Sequence, residues 1–263
     1  MPDSSHPPLL CRQKENIAFL TLNRPDVLNA LDRPLLLALK KELENIADNL
    51  DIRAVVISGA GDRAFSAGAD IKYLNTSSPL QVRELARLAI SVTRRIENLS
   101  KISVALINGF ALGGGLELAE SCMFRIAVHS ARLGHPEVRI GAVAGWGGTT
   151  RLPRLIGKSR AAEMLLTGKQ VTAEKALQMG LIHRVVDPQN LTEEGEALLK
   201  EILRNSSVAV NLTWEAMQRG LDLSMEESTR LGADCFGLVA SSEDFREGTK
   251  AFLSKRQAHF RGR

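Results

Sequence analysis

Cysteine is scarce in this sequence, and long hydrophobic runs are missing. The three cysteines, Cys11, Cys122 and Cys235, cannot all pair and show no metal-ligand spacing. That usage favours a reducing compartment, and we expect the cytoplasm. No apolar stretch approaches the roughly 18–20 residues that cross a bilayer, so we expect no membrane partner.

The sequence also lacks an export signal and an excess of one charge. Residues 1–10 carry an acid and three prolines rather than a basic start and an apolar run, so we expect no export. With 34 basic and 30 acidic residues, the net charge of +4 is too mild to indicate nucleic-acid binding. The basic residues near the end, from Lys255 to Arg263, indicate either a solvated face or contact with an anionic ligand.

Two familiar nucleotide-binding motifs are incomplete. Gly157-Lys158-Ser159 ends like a P-loop, but Leu152 stands where that loop requires glycine. Gly113-Gly114-Gly115 does not extend to a dinucleotide fingerprint, because residue 118 is Leu. No zinc-protease, Cys-x-x-Cys or nucleophile-elbow motif occurs either. These gaps disfavour a dinucleotide site and reduce the number of function classes that fit the sequence.

The composition is that of an ordinary globular protein, with 44% hydrophobic and 24% charged residues. Leucines and isoleucines at spacings of three and four predict helices at Arg33–Leu50 and Leu80–Leu99. Such helices alternate with predicted strands, which indicates an α/β core with substantial parallel pairing. Short β-branched runs predict those strands at Ile17–Leu22, Ala54–Ser58, Val104–Ile107, Phe124–Val128 and Ile182–Val186.

From Leu191 onward the pattern predicts helices with no convincing strand. Ser224 followed by Glu227 has the form of a capping box that starts one of them. We therefore divide the chain into an N-terminal extension (1–14), a core (15–190) and a C-terminal helical region (191–263), whose apolar stripes must pack on the core or on another subunit. The predicted helices are Leu191–Asn205, Val208–Leu223, Met225–Val239 and Ser242–Arg256.

Two glycine-bearing turns carry the candidate chemistry, at 65–72 and 108–119. In the second, a predicted strand runs into three glycines and then a helix start. The first turn of a helix has unpaired N–H groups, and two such donors aimed at one oxygen form an oxyanion hole. The alternative is that the glycines serve only the close packing of helix on strand.

Two glutamates lie near these turns. Glu117 falls in the first turn of the predicted helix, inside an otherwise apolar sequence, and Glu137 follows a proline in the loop Gly134–Glu137. A pair of carboxylates beside an oxyanion hole can hold a water and act as general base and acid. An isolated glutamate is more commonly a solvated surface residue, and we expect Glu120 to be structural.

These motifs resemble those of the crotonase (enoyl-CoA hydratase/isomerase) superfamily, and the resemblance covers about residues 15–260. It includes the two glycine turns and both glutamates. Further matching segments are Asn23–Pro25, Leu28–Leu31, Arg63–Ile71, Gly147–Gly157, Leu166–Gly168 and Phe245–Arg256.

The resemblance implies a spiral of ββα repeats with a C-terminal helical region that assembles a trimer or a hexamer. It implies that water adds to a 2-trans-enoyl-CoA to give a 3-hydroxyacyl-CoA, as in fatty acid β-oxidation, without a metal or redox cofactor. By position, the N–H groups of Ala69 and Gly114 hold the thioester oxygen. Glu117 corresponds to the base, and Glu137 to the proton donor at the α-carbon.

The resemblance also implies which residues bind the substrate. Arg63 and Lys72 correspond to positions near the CoA nucleotide, and Lys255 to one that reaches CoA on a neighbouring subunit, unless each is simply a solvated charge. Val143 and Trp146 depart from the family pattern and are expected to reshape the acyl pocket. The full set predicted to bind substrate or CoA is Arg63, Ala67, Asp70, Ile71, Lys72, Leu112, Gly113 and Lys255.

Two other interpretations of the function stay open. One is a different chemistry of the same superfamily, either Δ3-Δ2-enoyl-CoA isomerisation or hydration of a branched, methylglutaconyl-type enoyl-CoA. Another is an oligomer that binds acyl-CoA or RNA without catalysis. The presence of both Glu117 and Glu137 favours water addition over these alternatives.

Overall fold

Strands and helices alternate through the first two thirds of the chain, as the hydrophobic pattern predicts. The computed structural model describes residues 7–263. The strands are β1 (Leu9–Lys14), β2 (Ile17–Leu22), β3 (Ala54–Gly59), β4 (Ala64–Ser66), β5 (Ile102–Ile107), β6 (Phe110–Leu112), β7 (Phe124–Val128), β8 (Arg132–Gly134), β9 (Val171–Thr172) and β10 (Arg184–Val186). The helices are α1 (Arg33–Asp48), α2 (Ile71–Thr76), α3 (Pro79–Glu97), α4 (Gly114–Glu120), α5 (Gly148–Ile156), α6 (Lys158–Thr167), α7 (Ala173–Met179), α8 (Leu191–Leu203), α9 (Ser207–Gly220), α10 (Met225–Ala240) and α11 (Glu243–Leu253).

The larger sheet has the strand order β1-β2-β3-β5-β7-β10. Every neighbouring pair is parallel except β1 and β2. Each residue of β5 is buried, as expected of a central parallel strand that is covered on both faces. The five predicted strands all occur here, although the one predicted at 182–186 begins only at Arg184.

The sheet also includes part of the segment predicted as an N-terminal extension. Leu9–Lys14 pairs antiparallel with Ile17–Leu22 over six residue pairs. Residues 1–6 of that segment lie outside the described residues. The predicted boundary after residue 14 therefore falls at the turn of a hairpin, and residues 9–14 belong to the core sheet.

The second sheet takes up the strands that follow β3, β5 and β7 in the chain and keeps them in the same order. It runs β4-β6-β8-β9, with β4, β6 and β8 parallel to one another. Three consecutive units thus place one strand in the large sheet, the next in the small sheet, and a helix or a 3₁₀ turn after it. This is the predicted α/β spiral of ββα repeats.

Two long helices follow the predicted apolar spacing closely. In α1 the buried residues are Leu35, Leu36, Leu39, Leu43 and Ile46, which repeat at three and four. Asp32 caps its first turn by accepting from the N–H of Leu35. Helix α3 begins with a capping box between Ser78 and Gln81.

The C-terminal residues form a second compact unit, which begins at Glu196 rather than at the predicted residue 191. Within residues 196–263, all of which the structure describes, helices occur and strands do not. The predicted capping box of α10 is confirmed, since Ser224 accepts from Glu227 N–H while the Glu227 carboxylate accepts in return. The Asp244 side chain accepts from the N–H groups of Arg261 and Gly262, which fixes the end of the chain against α11.

Candidate active site

Three turns meet at one edge of the small sheet. Strands β4, β6 and β8 are parallel neighbours, so their carboxyl ends lie on the same side. The turn after β4 contains Ala69, the turn after β6 leads into α4 with Glu117, and the turn after β8 leads to Glu137. Ligands of open parallel sheets bind at such carboxyl ends. The topology therefore brings together residues up to 68 positions apart.

Glycines allow the first two turns to approach each other closely. A Cβ placed on Gly68, where φ is +102°, would lie 3.3 Å from the nitrogen of Gly114. A Cβ on Gly115 would lie 2.3 Å from the carbonyl oxygen of Ser66. The packing role of the glycines is thus real, and it is what holds Ala69 beside Gly114. Within residues 7–263, neither the Ala69 nor the Gly114 N–H donates to a protein acceptor.

Glu117 is buried at the start of α4 with two backbone partners. Its Oε1 accepts from the N–H groups of Trp146 and Gly148, each at 2.7 Å. Burial raises the pKa of Glu117 to about 7. The two N–H donors and His135 oppose that rise, whereas Glu137 adds to it. A carboxyl group with a pKa near neutrality is suited to accept and release a proton at physiological pH.

Arg151 holds the loop that supplies those two N–H donors. Its guanidinium makes two hydrogen bonds with the Glu97 carboxylate, at 2.6 and 2.9 Å. It also donates to the carbonyl oxygen of Trp146 at 3.0 Å. The ion pair thus connects α3 to α5, and the bond to Trp146 fixes the backbone that orients Glu117.

Glu137 begins a 3₁₀ turn, Glu137–Ile140, and reaches back over Gly113. A Cβ on Gly113 would lie 2.9 Å from Glu137 Oε1, so only glycine leaves room for this carboxylate beside the first turn of α4. Gly113 has φ +50°. Among the described residues, Glu137 Oε2 is buried without a hydrogen-bond partner.

Glu120 lies one turn after Glu117 and forms a buried pair with His135. His135 Nε2 lies 2.9 Å from Glu120 Oε1, and both side chains are fully buried. On the other side of the ring, Nδ1 lies 3.7 Å from Glu137 Oε1. The residue expected to be structural therefore connects, through one ring, to a candidate catalytic carboxylate.

Comparison with known proteins decides the family. The profile of Enoyl-CoA hydratase/isomerase matches residues 12–263. The chain is 39% identical to the crotonyl-CoA hydratase of Syntrophomonas wolfei subsp. wolfei over 252 residues, which cover 96% of this chain and 97% of that protein. The chain belongs to the enoyl-CoA hydratase/isomerase family.

Two further members of that family are similarly close. The short-chain-enoyl-CoA hydratase of Clostridium acetobutylicum is 36% identical over 249 residues, 95% of each chain. The crystal structure of an enoyl-CoA hydratase from Bacillus anthracis matches with a TM-score of 0.94 at 35% identity, covering 97% of this chain and all of that one. The predicted family and its fold are confirmed.

The residues expected to bind CoA fall into three groups. Ala67 and Leu112 are half-buried and Gly113 is buried, all three at the edge where the turns meet. Asp70 is used locally, since it caps α2 through the N–H groups of Lys72 and Tyr73 and lies 3.4 Å from Arg24 Nη2. The exposed members of the set are Arg63, Ile71, Lys72 and Lys255, the last in the C-terminal unit.

Sequence reasoning missed three features of this site. It did not predict the Trp146 and Gly148 donors, the Arg151 support or the Glu120–His135 pair. The only sequence signal for any of them is Glu120, a charged residue in an apolar helix, which belongs to the Glu120–His135 pair. Among residues 7–263, no cluster of His, Cys, Asp and Glu side chains is arranged to hold a metal ion. No described helix has the length and hydropathy needed to cross a bilayer.

Proposed function

We propose that this protein is an enoyl-CoA hydratase that adds water to 2-trans-enoyl-CoA thioesters. The carrying observation is that Glu117 and Glu137 both lie beside two free backbone N–H groups, at the edge where the three turns meet. The two carboxylates are close enough that Glu137 raises the pKa of Glu117. The activities named for the relatives support this reaction class.

The two free N–H groups polarise the thioester. In the proposed complex, its carbonyl oxygen accepts from the N–H groups of Ala69 and Gly114. When the β-carbon is attacked, negative charge moves to that oxygen to form an enolate. Donors already in place stabilise this charge without reorganisation, which is the main source of rate acceleration in such sites.

The glutamates divide the proton transfers. Ionised Glu117 accepts a proton from water, and the hydroxyl oxygen forms a C–O bond at the β-carbon. Protonated Glu137 then gives its proton to the α-carbon as the enolate collapses. Before the next turnover Glu117 releases its proton and Glu137 takes one up, so both groups return to their starting states and the net change is addition of one water across the double bond. No electrons are exchanged, so the reaction requires no redox cofactor, and we propose that none is used, nor a metal.

Crotonyl-CoA is the first substrate to test, followed by longer 2-trans-enoyl-CoAs. The enoyl-thioester absorbance should fall as the conjugated double bond is hydrated, and the rate should persist in a metal chelator. A protein with no activity on any chain length contradicts the proposal. A 3-enoyl-CoA tests isomerisation in the same assay, because a rise of that absorbance reports movement of the double bond into conjugation.

The C-terminal unit supports assembly into a trimer or a hexamer. Its helices leave large apolar side chains exposed in the single chain, where they cost free energy in water. We propose that they are covered by neighbouring subunits, and that Lys255 reaches CoA bound to one of them. The side chains concerned are Met217, Leu221, Leu223, Met225, Phe236, Leu238, Phe252 and Leu253.

We also propose that the protein works in a reducing compartment, the cytoplasm. Its three unpaired cysteines support this.

A further inference from the structure

The Glu120–His135 pair is an unusual feature for a protein interior. Both side chains are fully buried, and within residues 7–263 Glu120 Oε2 and His135 Nδ1 are buried without hydrogen-bond partners. Buried ion pairs stabilise proteins poorly, because two apolar side chains of similar volume avoid the desolvation cost. Stability alone therefore does not account for the pair.

The ring of His135 lies next to one candidate catalytic carboxylate and near the other. Its Nδ1 is 3.7 Å from Glu137 Oε1. On another side, a Cβ placed on Gly148 would lie 2.8 Å from His135 Cε1 and 3.1 Å from Glu117 Oε1. The Gly148 backbone that donates to Glu117 thus packs directly against the ring, and one imidazole adjoins both acidic groups.

The charges around this ring favour its protonated form. Burial lowers the pKa of His135, but Glu120 and Glu137 together outweigh it and raise the pKa to about 10. At neutral pH the Nε2–H then donates to Glu120, and the Nδ1–H faces Glu137. Among the described residues, the other charged groups near this cluster are Glu117, Arg151 and Arg125. The guanidinium of Arg151 is attracted to both Glu120 and Glu117, and that of buried Arg125 is attracted to Glu120.

We infer that Glu120 and His135 form a positioning pair for the catalytic carboxylates. Glu120 holds the ring through Nε2. The ring in turn holds Glu137 over Gly113, and its positive charge stabilises ionised Glu117 and the Glu137 carboxylate that forms once its proton has moved to the α-carbon. Neither residue of the pair touches the substrate; each acts through the glutamates. This role rests on the proposed hydration reaction.

Replacement of the ring is the first test. His135→Gln removes the cation but keeps a polar side chain, so kcat on crotonyl-CoA should fall about tenfold or more through misplacement of Glu137, while KM changes little. Loss of the cation also raises the pKa of Glu117, because His135 lowers it in the wild type. The acid limb of the kcat profile should therefore move to higher pH.

Replacement of the ring's partner is the second test. Glu120→Gln leaves the ring in place but removes one of the two charges that raise its pKa. The imidazolium should then lose its proton at a lower pH, so kcat should fall at the alkaline end where the wild type is still active. Because the two residues act as a unit, the double variant should lose less than the product of the single losses.

His129→Gln is the matched control. His129 Nδ1 lies 3.0 Å from Glu174 Oε1, a similar pair that is more than half exposed. The His129→Gln variant should leave kcat and both limbs of its pH profile unchanged. If His135→Gln and Glu120→Gln shift only the melting temperature, the pair is structural and the inference is overturned.

Two outcomes separate this inference from the proposed function. A wild-type protein that hydrates no enoyl-CoA overturns the proposed function, and the positioning role with it. An active wild type with unchanged variant profiles overturns the positioning role alone. If His135→Gln does not fold, Glu120→Gln decides by itself, since an unmoved alkaline limb in that variant contradicts the inference.

Discussion

The indole ring of Trp146 occupies the space that a side chain at Gly114 would need. A Cβ placed on Gly114 would lie 2.4 Å from Trp146 Cζ3 and 2.6 Å from Cε3. Trp146 is buried, and its backbone N–H donates to Glu117. One aromatic residue therefore lies against the proposed oxyanion donor and also helps to orient the proposed base.

Gly114→Ala should therefore impair the protein through sterics. Alanine keeps the N–H donor, so any loss comes from overpacking, which typically costs about 1–3 kcal/mol. We expect a lower melting temperature and a kcat on crotonyl-CoA that falls about tenfold or more as the site is displaced. Trp146→Ala in the same chain should restore part of both losses.

Gly232→Ala controls for the effect of adding a methyl group to a glycine. Gly232 lies within α10, and a Cβ there meets nothing within 4 Å. Alanine should stabilise that helix by about 0.5–1 kcal/mol and leave kcat unchanged. Wild-type kinetics for Gly114→Ala would show that Trp146 yields easily and that the contact is unimportant.

Catalysis should require both glutamates, so the loss of either acid group should lower kcat. Glu117→Gln keeps an oxygen that can accept from the N–H groups of Trp146 and Gly148, so the fold should persist. Each of Glu117→Gln and Glu137→Gln should lower kcat about 10²-fold or more with little change in KM. The double variant should lose far less than the product of the single losses. Wild-type rates in both single variants contradict the catalytic assignment.

The same Glu117→Gln change should stabilise the protein above neutral pH. Burial raises the pKa of Glu117 from 4.5 to about 7 in the folded state, so folding becomes less favourable as pH rises through that interval. Full ionisation corresponds to a cost of about 3 kcal/mol at most.

Thermal unfolding at several pH values measures this effect. The variant should melt above the wild type at pH about 8, and the difference should shrink toward pH about 5, where wild-type Glu117 is protonated. A pH-independent difference would mean that Glu117 titrates as it does in the unfolded chain.

Lys72→Ala should weaken CoA binding more than it slows catalysis. Lys72 is exposed on α2, immediately after the turn that contains Ala69. A charge contact with the CoA phosphates is equally present in ground and transition states, so KM should rise while kcat stays nearly constant. Lys41→Ala, at an exposed lysine of α1, is the control. An unchanged KM would make Lys72 a surface charge.

Subunit assembly should depend on the exposed apolar residues of the C-terminal unit. Leu253 is 81% exposed, and Leu253→Lys should lower the mass measured by light scattering, because a buried charge opposes association. Leu50→Lys, at an 88% exposed leucine of the core, should leave the mass unchanged. A wild type that is monomeric at all concentrations contradicts the proposed trimer or hexamer.

Local sequence patterns predicted most secondary structure, because these signals act over a few residues. The apolar spacing of α1 and the capping box of α10 needed no tertiary information. Short strands such as β6 and β8, with three residues each, were missed, since so brief a run has no measurable periodicity. β1 was missed because five of its six side chains are exposed.

The sequence by itself determined the family, the helical C-terminal region and the candidate glutamates, since a motif needs only residue types at a given spacing. The tertiary structure decided what surrounds each group. It brought Gly148 and Trp146 to Glu117 from about 30 positions away, and it placed His135 between Glu120 and Glu137. Burial and neighbouring charge set a proton affinity, and both depend on which segments pack together. No local pattern along the chain contains that information.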